Sequence, residues 1–306
     1  MFKLDTIRDI LDLVAHARNP LEVVRAVVPS LQRPLVLNDP PPPVRAGSSP
    51  DVDLNATASS LRRHMLALKS SALDDGAVNY AALADGEGAR TLSQTARALS
   101  YADPRSLDDR QRLAFWLNVY NVLAIHGVIA LGIRASVMEV PAFFGVVRYR
   151  IGGLEVSLDH IEHGILRRNS AHPLSGRRPF TDGADSRQAW MVRRVDPRIH
   201  AALVCSARSC PPIAVYDADM IDEQLERAMR GFVAAETSVD TRRRRIETSA
   251  IFRYYSDDFG GSPAALVATL CRYARPELAA QIRTAWSAAG SLRFGRYDWS
   301  LNRVGA

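Results

Sequence analysis

Lysine is almost absent: the 306-residue chain holds Lys3 and Lys69 and no others. Its net charge of +6 therefore rests on arginine. A GC-rich coding sequence explains that bias without a polyanionic partner. Nucleic-acid binding would need arginines gathered on one face beside a reading motif. The one tight cluster is Arg242 to Arg245, and no such motif accompanies it. Cysteine is scarce too, with three residues, Cys205, Cys210 and Cys271. An odd, low count excludes a disulfide framework. No apolar run is long enough for a bilayer, because the stretch 122–133 is short and interrupted by His126. The N-terminus carries Asp5, Asp9 and Asp12, unlike the basic start of a signal peptide. No transmembrane segment is expected, and a reducing cytoplasm is the expected location. No glycine-rich loop follows a strand pattern, so no phosphate-binding loop and no cofactor are expected.

What remains is ordinary for a folded protein, 47% apolar and 24% charged. Residues 4 to 32 read as one or two helices, with Ile7, Ile10, Leu11 and Val14 on one face. The run Asp39-Pro-Pro-Pro-Pro43 favours a stiff extended chain. The expected organisation is a helical segment over 1–37, a Pro-rich linker over 38–52 and a main domain over 53–306. Helical patterns cluster first, at 55–69, from Asn79, at 90–101 and at 108–131. Glycines Gly152 and Gly153 mark a hairpin between 146–151 and 153–157. A helix over 159–167, a polar loop over 169–190 and a buried strand over 199–204 follow. Later elements are helices over 222–236, around 250–255 and within 262–289, and a strand over 245–248. Strand-like aromatics end the chain. This order predicts an α+β fold, with helices packed on a small, mainly antiparallel sheet.

Three segments concentrate side-chain chemistry. In Ala114-Phe-Trp-Leu-Asn-Val-Tyr-Asn121, Asn118 and Asn121 share a face of an otherwise apolar helix. They would hold neighbouring loops, or orient a catalytic histidine. In Ser157-Leu-Asp-His-Ile-Glu-His-Gly-Ile-Leu-Arg167, Asp159 and Glu162 have capping-box spacing. Glu162 or His163 would act as a base if this helix faced a cleft. In Asp196-Pro-Arg-Ile-His-Ala-Ala-Leu-Val-Cys205, His200 opens the strand; Cys210 follows a short polar turn and precedes two prolines. A thiol beside a base or a positive charge becomes a nucleophile. The same His163, His200, Cys205 and Cys210 are of the residue types that hold zinc, although their spacing is not that of a zinc finger.

These pieces, with Ser209-Cys-Pro-Pro212, Ile251-Phe-Arg-Tyr-Tyr-Ser-Asp-Asp-Phe-Gly260 and Tyr297-Asp-Trp-Ser-Leu-Asn302, resemble in order the family catalogued as domain of unknown function 547, over about residues 55–302. The resemblance implies which positions are shared, among them Trp116, Tyr120, Arg167, Arg198, His200 and Cys210. It implies no reaction.

Three functions are expected from this reading. The first is a cysteine-dependent hydrolase or acyltransferase acting on a small molecule or peptide. Cys210 would be its nucleophile, His200 or His163 the base and Asn121 or Asn118 the orienter, with Glu162 and Arg167 behind them. Trp116, Asn118, Tyr120, Arg167, Arg198, Arg208 and Ser209 would line the substrate site, with Arg208 and Ser209 shaping an anion-stabilising turn. The alternative is a non-catalytic binding or scaffold domain with a structural polar network, recruiting a protein partner through residues 1–37. The third is a zinc-dependent enzyme or a zinc site, using His, Cys and Glu.

Overall fold

A computed structural model describes residues 34–39, 54–74, 77–84 and 87–305. The helices expected over residues 4–32, and the linker beyond Asp39, lie outside the described residues. Helices α1 (Leu54–Ala72) and α2 (Tyr80–Ala84) pack on the central α4 (Asp109–Ala130), and α3 (Glu87–Leu99) packs on α1. Helix α4 starts where its sequence says it should. The Asp108 side chain accepts from Gln111 N–H, and the Gln111 side chain accepts from Asp108 N–H. It ends before Gly132, whose φ of +58° suits glycine. Every residue from Ala114 to Ile125 is buried. The helix is long and apolar enough for a bilayer. Protein covers it on nearly every side, as expected for a core helix.

Among the described residues the strands form three small sheets. Strand β1 (Leu35–Val36) runs parallel to β4 (Val147–Ile151), and β4 is antiparallel to β5 (Leu154–Ser157). Strands β2 (Leu73–Asp74) and β3 (Ala77–Val78) form an antiparallel pair. The hairpin between β4 and β5 turns on Gly152 and Gly153, both at positive φ. Short α5 (Phe143–Val146) leads into β4. The expected linker begins inside the fold: buried Asn38 donates to the carbonyls of Ala96 and Arg150 and accepts from Arg150 N–H. Residues 35–38 thus dock on the main domain.

The second half holds α6 (Ile221–Glu236), α7 (Ile251–Tyr254), α8 (Pro263–Tyr273) and α9 (Pro276–Ser287). Its sheet joins β6 (Ser238–Asp240) antiparallel to β7 (Arg245–Thr248), with β8 (Ser291–Phe294) parallel to β7. The architecture is α+β, and three of the five strand pairings among the described residues are antiparallel. Two apolar clusters result, one around α4 and one between α6, α7, α8 and α9. After β8 the chain returns across both halves. Leu301 N–H donates to Ala135 O, Ser136 Oγ to Trp299 O, Asn302 N–H to Ser206 O and Val304 N–H to Val78 O.

Two expected elements differ. Residues 197–201 form a 3₁₀ turn, not a strand. Asp196 caps it by accepting from Arg198 N–H, and Pro197 pre-sets its first turn. Instead of a neighbouring strand, the Asn121 side chain donates to Ala202 O and accepts from Val204 N–H. The helix after β5 is a π-helix, His160–Leu166. Arg167 N–H donates to Glu162 O at 2.8 Å and Asn169 N–H to Gly164 O at 2.7 Å, each five residues back. Asp159 makes no side-chain cap there, so the expected capping box is absent.

Candidate functional site

The wide turn of the π-helix aims Glu162, His163 and Arg167 into the protein between the two clusters. Glu162 accepts from Tyr120 Oη at 3.0 Å and from Tyr255 Oη at 2.5 Å. Burial, reinforced by the Glu162 charge, raises both phenols well above their usual range, so both stay protonated and donate. Arg167 reaches Asp258 through Nε at 2.5 Å and Nη2 at 3.1 Å. The same Asp258 accepts from His200 Nε2 at 2.7 Å. Burial works against the Asp258 charge, but hydrogen bonds from His200 and Arg167 outweigh it and hold the carboxyl at about 2. The His200 ring stacks on Tyr255 with centroids 3.8 Å apart. His163, His200, Arg167 and Glu162 are 2%, 4%, 4% and 7% exposed, so the network is sealed.

His163 meets Arg167 Nη1 at 2.9 Å through Nδ1. A guanidinium has no acceptor, so Nδ1 accepts and neutral His163 carries its hydrogen on Nε2. Burial, with His172 and Arg167 nearby, pushes its pKa well below the usual value and keeps it neutral. Asp159, His163 and His172 place ligand-type atoms within 4.8 Å of one another. His172 Nδ1 likewise accepts, from Leu174 and Ser175 N–H. Both imidazoles in neutral form therefore carry hydrogen on Nε2, and a cation would have to displace it.

Cys210 does not meet a histidine. Its sulfur is bonded to Cys205, accepts from Cys205 N–H and lies 3.1 Å from Tyr297 Oη. The expected free thiol is thus absent, because the turn over 206–209, with Ser206 at a φ of +68°, brings the two cysteines together. With the sulfurs bonded and His200 held by Asp258, the proposed set of four zinc ligands does not form. Cys271 is the free cysteine.

Residues 104–233 match the family model described as Protein of unknown function, DUF547. The resemblance is to DUF547. No curated protein and no solved structure matches the chain. The DUF547 match is narrower than the 55–302 over which the motifs run. It contains Glu162, His163, Arg167, His200 and both bonded cysteines, while Tyr255, Asp258 and Tyr297, which complete their hydrogen bonding, lie beyond it.

Within the DUF547 segment, several expected site residues take other work. Asn118 brackets the backbone of Tyr216, donating to its carbonyl and accepting from its N–H. Asn121 brackets Ala202 and Val204. Both asparagines hold loops, and His200 Nε2 is oriented instead by Asp258. Trp116 is fully buried against Phe115 and Trp190, where no substrate reaches it. Arg198 pairs with Asp196 and Asp222. The amides of Arg208 and Ser209 donate to Ser300 O and Asp298 O, so these two N–H groups are unavailable to an anion. Asp258 was the partner that sequence reasoning missed. Its signal lay in the adjacent acids of Ser256-Asp257-Asp258 within the shared motif.

Proposed function

We propose that this chain is a non-catalytic binding or scaffold domain whose polar core network is structural. The commitment of His200 carries this reading: Nε2 donates to an ionised Asp258, and the ring stacks on Tyr255. A general base must reach the proton it removes, and a nucleophile must meet its base. Here the imidazole is sealed, and the partners of the Cys210 sulfur are Cys205 and Tyr297. Buried ionic groups linked this way favour one arrangement of the chain over its competitors. Partner recruitment then falls to residues outside the network, including the helical segment expected before residue 34.

Alkylation near neutral pH tests this directly. Protein purified without reductant is expected to take up iodoacetamide at Cys271 alone. A cysteine hydrolase would instead show Cys210 labelled faster than Cys271, with His200→Ala slowing that labelling. That pattern would overturn the structural role.

A further inference from the structure

Cys205 and Cys210 flank a four-residue loop, and both are half-buried. Two donors converge on the Cys210 sulfur. Cys205 N–H is 3.1 Å away, and Tyr297 Oη lies 3.1 Å from each of the two sulfurs. Burial raises the Tyr297 phenol, so it stays a donor. Donors of this kind stabilise a thiolate and make that sulfur the better leaving group.

The loop is also held without its sulfur bond. Asn121 accepts from Val204 N–H on one side. Arg208 and Ser209 donate to Ser300 and Asp298 on the other, and Asn302 N–H donates to Ser206 O. Breaking the bond therefore leaves the two sulfurs adjacent, and adjacency of this kind favours closing it again.

We infer that Cys205–Cys210 is a reversible redox site that exchanges with a dithiol. A thiolate of the dithiol attacks Cys205 Sγ, the Cys205–Cys210 bond breaks, and Cys210 leaves as a thiolate facing Tyr297 and Cys205 N–H. The second thiol of the dithiol, deprotonated to water, then attacks its own sulfur in the mixed disulfide. Cys205 departs as a thiolate and takes a proton from water. The dithiol is oxidised to a disulfide, and two electrons pass to the cysteine pair. In a reducing cytoplasm, the location expected from the sequence, disulfides of this kind are transient or redox-sensing. The site does not depend on the scaffold role of the buried network.

The full chain with Cys271→Ser serves as the background. It is equilibrated with graded ratios of reduced to oxidised dithiothreitol, quenched with an alkylating mass tag and weighed. Near-ultraviolet circular dichroism follows the fold. Two thiols are expected to appear and disappear together, reversibly, with the spectrum retained. Tyr297→Phe is expected to demand severalfold more reductant at the midpoint. Because Tyr297 is buried, a second measurement avoids that variant. In the reduced chain that keeps Cys271, Cys210 is expected to alkylate at lower pH than Cys271. Two free thiols in air-purified protein, reduction only on unfolding, or an alkylation profile for Cys210 matching that of Cys271 would each overturn the inference.

Discussion

A carboxylate left 7% exposed must gather donors or give up its charge. Asp258 gathers three hydrogen bonds, two from Arg167 and one from His200. Asp258→Asn leaves Arg167 buried without its counter-charge and is expected to cost ~3–5 kcal/mol in urea unfolding. The same residue sets part of the acid response. Its carboxyl is held below the usual 3.8, at about 2, so its contribution is complete above pH 3.8 and is lost as pH falls towards 2. Histidines act at higher pH. Burial lowers His126 to about 4 and His160 to about 3, against 6.5 when unfolded. Below pH 6.5 the unfolded chain takes up protons that the folded chain refuses, so stability falls as pH falls. The urea midpoint is expected to drop between pH 6.5 and 4. His126→Gln is expected to flatten that limb by at most ~1.4 kcal/mol per pH unit. The sequence around 256–258 displays two neighbouring acids but not which one turns inward. That choice depends on partners 58 and 91 residues away.

Elements were legible where their signals are local. Helix α4 announces itself through Asp108, Gln111 and Gly132, all within or beside it. The 3₁₀ turn at 197–201 was not, because a short apolar run suits strand and turn alike. Its deciding neighbour, Asn121, is 81 and 83 residues away. The π-helix hides a similar dependence at Gly164. A Cβ there would sit 2.5 Å from Phe180 Cζ, so glycine lets the 169–190 loop lie against the helix. Phe180 also stacks on His160 and is tied through its backbone to Asn169. Gly164→Ala is expected to destabilise by ~1–3 kcal/mol through overpacking. Limited trypsin digestion of that variant is expected to cut faster at exposed Arg177 and Arg178. An unchanged digestion rate would mean the loop is held without Phe180.

At the scale of the molecule, helices preceding scattered strands were enough for the α+β class. The division into three sheets was not, since β1 joins β4 and β7 joins β8 across long stretches of chain. The two apolar clusters share Cys210 and Trp299 at their seam. Unfolding in urea is accordingly expected as one transition, with tryptophan fluorescence and far-ultraviolet circular dichroism superimposing. Two separated midpoints would show that the seam does not couple the halves. The returning segment from Trp299 to Val304 touches Val78, Ala135, Ser136 and Ser206, all made much earlier in synthesis. Those four residues complete their hydrogen bonding only when residues 299–304 are in place. An order of synthesis that supplies the closing segment last favours a chain that completes its core only once that segment is available.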